Sequence, residues 1–251
     1  MQTLKIMKEN QERIAALIFL PDSFDYLLIT CHGFRGRKEN SDRICAFARE
    51  INELGMGLLA FDFTGSGESD GDFSDITLTR QVQDLKTVID YAYRKYQKPL
   101  ILLGRSFGGS TVLAGGAEES RVKGFILWST PVELQQTFTR VMEEAYEELI
   151  KGRTVKIVDE SGYYHIKPSF IEDIFRHNMD DYLKKVHNRP VLIVQGQEDN
   201  VVAVYNARYM YNRLCNAEMV IVDDADHRFE NKIRDRELIT IKWLKKHFVN
   251  E

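Results

Sequence analysis

Cysteine is scarce in this chain: only Cys31, Cys45 and Cys215 occur, far apart and with no Cys-x-x-Cys pair. An odd, scattered set excludes a disulfide framework and a thiolate metal ribbon, and it fits free thiols in a reducing compartment. Long apolar runs are missing as well. No uninterrupted stretch reaches the roughly 20 residues that a bilayer-spanning helix needs, so no membrane span is expected. The opening MQTLKIMKENQER lacks the apolar segment of a secretory signal. Positive charge is not in excess: 34 Lys and Arg face 38 Asp and Glu, mixed along the chain. A nucleic-acid surface would show as a basic stripe, and there is none. Low-complexity tracts and internal repeats are also absent. These absences point to a cytoplasmic protein without a nucleic-acid partner.

What is present is enough for a sizeable core: 43% of the 251 residues are hydrophobic, which suits one α/β domain carrying an insertion. TLKIMK and ERIAALIFLP alternate apolar with polar residues, the pattern of half-buried edge strands. DYLLITCHG, MGLLAFDF, KPLILLG, RVKGFILWS, RPVLIVQGQED and AEMVIVDDADH are denser apolar runs and read as buried strands. Helical segments alternate with them. SDRICAFAREINELG is capped by Ser41 or Asp42 and stopped by Gly55. RQVQDLKTVIDYAYRKY places Val82, Leu85, Val88, Ile89 and Ala92 on one face. SFGGSTVLAGGAEES is a helix of small residues, and VAVYNARYMYNRLC and RDRELITIKWLKKHF follow later. Buried strands alternating with amphipathic helices predict a mostly parallel, doubly wound sheet of about eight strands.

The alternation breaks at residues 132–189. VELQQTFTRVMEEAYEELIKG predicts one amphipathic helix, with Leu134, Phe138, Val141, Ala145 and Leu149 down one side. TVKIVDESGYYHIK predicts a hairpin turning at Asp159–Gly162, and PSFIEDIFRHNMDDYLKKV a further helix opened by Pro168. The expectation is a cap inserted over one end of the sheet, with 1–131 and 190–251 as the core domain. The alternative is that these helices simply belong to the main domain.

Two serines sit in a Gly-x-Ser-x-Gly: Ser69, in TGSGESDGDF, and Ser106, in LLGRSFGG. A nucleophile elbow needs a strand, a sharp turn and then a helix, with small residues two positions either side of the serine. Ser106 meets this, with PLILLG before it, Gly104 and Gly108 flanking it, and a helix after it. That helix N-terminus also aims N–H groups at the site. Ser69 lies in a turn-rich loop that ends no strand and opens no helix. A phosphate-binding loop is excluded at GRSFGGST, because Ser110 stands where the lysine is required.

A serine hydroxyl needs a base, and the base needs a carboxylate. Of the six histidines, His165 and His177 fall in the insertion, His187 just after it, and His247 in the last helix. His32 directly precedes Gly33. His227 follows the last strand, at the carboxyl edge where doubly wound sheets bind ligands, and it is the preferred base. Asp199 is the preferred carboxylate, at the end of the preceding strand, with Glu198 its local rival. Asp223, Asp224 and Asp226 read as a solvated acidic turn. The order Ser106, Asp199, His227 is that of α/β-hydrolases. The oxyanion donors are expected to be the backbone N–H groups of Phe34, in HGFRG, and Phe107. Gly33 allows the close approach, and His32 braces the loop.

HGFRG, DFTGSGESDG, GRSFGG, GQED and DADHRF occur in that order, and through them the chain resembles the α/β-hydrolase superfamily over nearly its full length. DFTGSGESDG is similar to the Asp-x-x-Gly-x-Gly-x-Ser turn of its esterase and serine aminopeptidase-like branch, which implies that Ser69 ends a structural turn. Arg105 departs from the histidine frequent at that elbow position. Size and insertion site are similar to small carboxylesterases, cinnamoyl and feruloyl esterases among them, and to serine aminopeptidase-like hydrolases.

The reading is therefore two-step acyl transfer from a small-molecule ester, with no metal and no organic cofactor. An ester is favoured over an amide because no acidic cluster for an amine is evident. Aminopeptidase-type amide hydrolysis and a triad-retaining receptor with little turnover stay open, as does a homodimer. Phe138, Tyr146, Tyr163, Tyr164, Phe170 and Phe175 are candidates for an apolar pocket or for core.

Overall fold

A computed structural model describes residues 1–39, 43–159 and 162–249. Strand β1 (Gln2–Met7) runs antiparallel to β2 (Arg13–Phe19). Then come β3 (Tyr26–Cys31), helix α1 (Ile44–Glu53), β4 (Met56–Phe61), α2 (Leu78–Tyr96), β5 (Leu100–Arg105), α3 (Phe107–Gly116) and β6 (Val122–Trp128). After an intervening segment, β9 (Val191–Gly196), α8 (Tyr205–Tyr211), β10 (Ala217–Val222) and α9 (Ile233–Phe248) complete the chain. The eight strands pair in the order β1-β2-β4-β3-β5-β6-β9-β10. Only the β1–β2 and β2–β4 pairs are antiparallel; the pairs from β4 through β10 are parallel. Every residue of β4 and β9 is buried, as the unbroken apolar runs require of strands covered on both faces.

Successive residues of a strand point to opposite faces, and the sheet consequently feeds two cores. Leu28, Leu58, Ile101 and Val194 meet Phe47 and Ile51 of α1 and Trp243 and Leu244 of α9. Ile29, Leu59, Leu102 and Ile193 belong to the other core, with Leu85, Val88 and Leu113 of α2 and α3. Each such side chain contributes about 1.5–3 kcal/mol by leaving water. β2 departs from the edge-strand expectation. It lies second from the edge, and all of it but Arg13 is buried, with Ile14, Ala16 and Ile18 in one core and Leu17 and Phe19 in the other. The anticipated Ser41 or Asp42 cap lies outside the described residues.

Between β6 and β9 the expected helices are each divided. The first is α4 (Leu134–Met142) and α5 (Glu144–Ile150), separated at Glu143, whose φ of 45° and ψ of −120° are not helical. Leu134, Phe138 and Leu149 are buried in one core on both sides of the break, while Val141, just before it, is 44% exposed. The hairpin follows as β7 (Val155–Asp159) and β8 (Gly162–Ile166), with Val155 opposite Ile166. The inner residues of its turn lie outside the described ones. The second expected helix is α6 (Ser169–Ile174) and α7 (Met179–Val186). Asn178 separates them because its side chain accepts the N–H of Asp180 and caps α7.

Candidate active site

β5 runs into Ser106 and Ser106 into α3, so the serine sits where a strand becomes a helix. Its φ of 52° and ψ of −126° are strained for a residue with a Cβ. Its N–H still donates to Trp128 O at 2.8 Å, which pins the turn to β6. The turn closes only because its flanks are glycine. A Cβ at position 104 would lie 2.4 Å from Gly108 O, and one at 108 would lie 2.4 Å from both Cys31 O and His32 O.

The preceding loop lies against the serine from the other side. A Cβ on Gly33 would come within 3.1 Å of Arg105 O and of Ser106 Cβ. Among the described residues the N–H groups of Phe34 and Phe107 have no hydrogen-bond partner. Two backbone donors on the two chain segments that flank a strained serine are therefore unused. His32 holds this loop in shape. Its Nε2 accepts the N–H of Phe63 at 3.1 Å, so its Nδ1 carries the hydrogen and donates to Gly33 O at 2.8 Å. Burial pushes the His32 imidazole below its ordinary pKa, and the neutral ring this favours is the one both bonds need.

His227 reaches Ser106 from the loop after β10. Its Nε2 lies 3.1 Å from Ser106 Oγ and its Nδ1 2.9 Å from Asp199 Oδ2. A carboxylate can only accept, so Nδ1 carries the hydrogen and Nε2 is free to accept from the hydroxyl. Asp199 is 7% exposed and follows β9. Its Oδ1 accepts the N–H groups of Val201 (2.9 Å) and Val202 (2.7 Å), and Oδ2 accepts Gln195 Nε2 (2.8 Å) as well as His227. Burial alone raises this carboxyl; the bonds from His227, Val202 and Val201 outweigh it and hold the pKa below the ordinary value. Glu198 is exposed, and it is Asp199 that bonds His227.

The remaining candidates have other occupations. Ser69 Oγ donates to Asp62 O at 2.7 Å and accepts the N–H of Ala15 at 2.9 Å, which makes it a tie between a turn and β2. His177 bonds Thr79 and Tyr182, and His247 bonds Glu218. His165 and His187 are exposed, as are Asp223 and Asp224, while Asp226 accepts the N–H of Glu230. Among the described residues no three His, Cys, Asp or Glu are grouped to hold a metal.

Lys38 escapes the pattern reading altogether. It is 3% exposed, its Nζ bonds Asp62 and Glu68, and its N–H donates to Asp62 Oδ1. The loop after β3 is thereby bolted to the DFTGSGESDG turn. A lysine in a polar loop carries no sequence sign of burial; only the Asp at the head of that turn motif hinted at a partner.

Aromatic rings cluster around the side chains of Phe34 and Phe107. The ring of Phe34 makes edge contacts with Phe107 (6.4 Å), Phe138 (5.8 Å), Tyr164 (6.0 Å) and Phe73 (5.4 Å), and a tilted one with Phe170 (5.6 Å). Tyr163 and Phe175, by contrast, are 64% and 52% exposed and stand away from it.

Residues 24–232 match the family model described as "Serine aminopeptidase, S33". The chain belongs to this family. Its sheet and helices are accordingly those of the α/β-hydrolase superfamily. Human mitochondrial palmitoyl-protein thioesterase ABHD10 is 25% identical over 232 residues, covering 90% of this chain and 71% of that protein. Among solved structures, ferulic acid-bound Est1E from Butyrivibrio proteoclasticus superposes with a TM-score of 0.82 at 22% identity, over 98% of this chain and all of that one. Mouse alpha/beta hydrolase domain-containing protein 10 gives 0.79 at 20% identity over 98% of both chains. These two solved structures share the fold.

Proposed function

We propose that the chain is a serine hydrolase that cleaves carboxylic esters, thioesters among them, through an acyl-enzyme on Ser106. The observation that carries this reading is the single line of bonds from Ser106 Oγ through His227 to Asp199. Membership of a hydrolase family and similarity to a palmitoyl-protein thioesterase support it.

His227 Nε2 takes the Ser106 proton as Oγ attacks the carbonyl carbon. Asp199 holds the Nδ1–H tautomer and stabilises the imidazolium. The N–H groups of Phe34 and Phe107 receive the oxyanion, an interaction worth about 3–4 kcal/mol per donor in comparable sites. The imidazolium then protonates the departing alkoxide or thiolate, and a water activated by the same imidazole releases the acid. The residues between 132 and 189 act as a cap on the core formed by 1–131 and 190–251, and Phe138, Tyr164 and Phe170 bring its apolar surface to the oxyanion loop.

A fluorophosphonate should label Ser106, and Ser106→Ala should lose both labelling and turnover of p-nitrophenyl esters and acyl thioesters while keeping its thermal transition. A variant that still hydrolyses them at the wild-type rate refutes the assignment. The family description favours a second reading, amide cleavage. Aminoacyl amides assayed beside the esters decide between the two, and labelling without sustained turnover on either marks a receptor.

A further inference from the structure

Four donors hold the Asp199 carboxylate, and only one of them is a side chain besides His227. That one is Gln195, four residues upstream on β9 and fully buried. Its Nε2 lies 2.8 Å from Asp199 Oδ2, the oxygen that also accepts His227 Nδ1, and 3.1 Å from Val202 O. These two and Gly196 O, at 3.4 Å, are all acceptors, which dictates the amide orientation, because the reversed amide would set oxygen against oxygen. Gln195 Oε1, meanwhile, is buried without a partner, as is the hydroxyl of Ser129 at the end of the neighbouring β6. The four residues before Gln195 on β9 are apolar. An apolar side chain in its place would avoid an unsatisfied carbonyl, so a packing role does not account for the amide.

We propose that Gln195 is a positioning residue for the acyl transfer, holding Asp199 Oδ2 with a neutral donor and sharing that oxygen with His227. The inference rests on the reading of Ser106, His227 and Asp199 given above. A second donor on Oδ2 spreads the carboxylate charge. The imidazolium is then stabilised enough to form but not so strongly that it keeps its proton from the leaving group. The other charged group near the carboxylate is Arg105, on β5, and Arg105 in turn lies near Asp226 and Arg228 on either side of His227. None of them donates to Asp199 among the described residues.

The test is the pH dependence of ester turnover and of Ser106 labelling by a small fluorophosphonate, in the wild type, Gln195→Met and Gln195→Glu. The methionine nearly preserves volume and removes the donor. It should lower kcat about tenfold with KM unchanged, and raise the acid limb of the profile by about one pH unit, since an unshared Oδ2 holds the imidazolium more tightly. The glutamic acid keeps an O–H for Oδ2 while it is protonated. Gln195→Glu should therefore stay near wild type at the acid end and lose activity as it ionises, adding an alkaline limb that the wild type lacks. A merely structural Gln195 would lower the thermal transition of both variants and leave the profiles superimposed, and that outcome overturns the proposal. Should Gln195→Met not fold, the alkaline limb of Gln195→Glu decides alone. Failure of the wild type to label at Ser106 strikes the underlying reading instead.

Discussion

At the scale of the residue, the site is a matter of which polar atoms have partners. Asp199 is the clearest case. Its folded-state pKa is depressed, so its stabilising contribution is complete above the ordinary carboxylate value of about 3.9 and is lost as pH falls through the lower, folded-state value. Asp199→Asn has no such proton to take up. The variant should therefore lose less stability than the wild type on acidification below about pH 4, read by denaturant titration at a series of pH values; parallel losses would contradict the assigned sign. Its turnover should fall on the order of a thousandfold or more, because an amide can present N–H to His227 and favour the wrong tautomer. The three residues of the line were legible because strand ends, glycines and residue types all carry local signals. Lys38 and Gln195 were not: the buried lysine is explained only by a distant partner, Asp62, and the core glutamine by Asp199, which folds back on it past the strand end with no spacing signal to say so.

At the scale of the element, apolar spacing carries the fold where one periodicity governs a whole segment and loses it where a single residue resets the chain. The strands of the parallel sheet follow from their apolar runs. The break at Glu143 did not, because glutamate is a good helix former and MEEAYEEL continues the helical spacing on both sides. Its φ of 45° and ψ of −120° fall where glycine is at ease and other residues are not. Glu143→Gly should consequently stabilise the protein, by about 1 kcal/mol. Helix propensity predicts a loss of about the same size. The change in thermal midpoint chooses between them, and a fall would mean that α4 and α5 are continuous in solution. Asn178 was legible in principle: an Asn followed by Asp180 and Asp181 is a helix start, overlooked because the apolar residues on both sides share one phase.

At the scale of the whole molecule, the question is what fastens residues 132–189 to the sheet that carries Ser106. Apolar packing supplies much of it, since Phe138, Phe170, Ile171, Ile174 and Leu183 share one core with Phe107, Val112 and Leu113. Polar ties add to it. Asn206 Oδ1 accepts the N–H groups of Val132 and Glu133 at the entry. At the far side, Asp173 of α6 accepts the N–H of Thr79 at 2.9 Å and its hydroxyl at 2.5 Å, at the start of α2, with His177 Nε2 at 3.3 Å. Burial raises the Asp173 carboxyl, and the bonds from His177 and Thr79 more than offset it, leaving the pKa lowered. Asp173→Ala removes the hydrogen bonds that tie α6 to the start of α2. A stability loss of roughly 1.5–3 kcal/mol follows from losing bonds to a charged acceptor. Because Phe170 lies on the same helix and packs on Phe34, the looser segment should raise KM for long-chain acyl esters severalfold. The second-order rate of labelling by a small fluorophosphonate, which needs only Ser106 and its partners, should hardly change. Equal loss on both measurements would mean that α6 supports the serine itself, and that residues 132–189 are part of the core and not a cap over it.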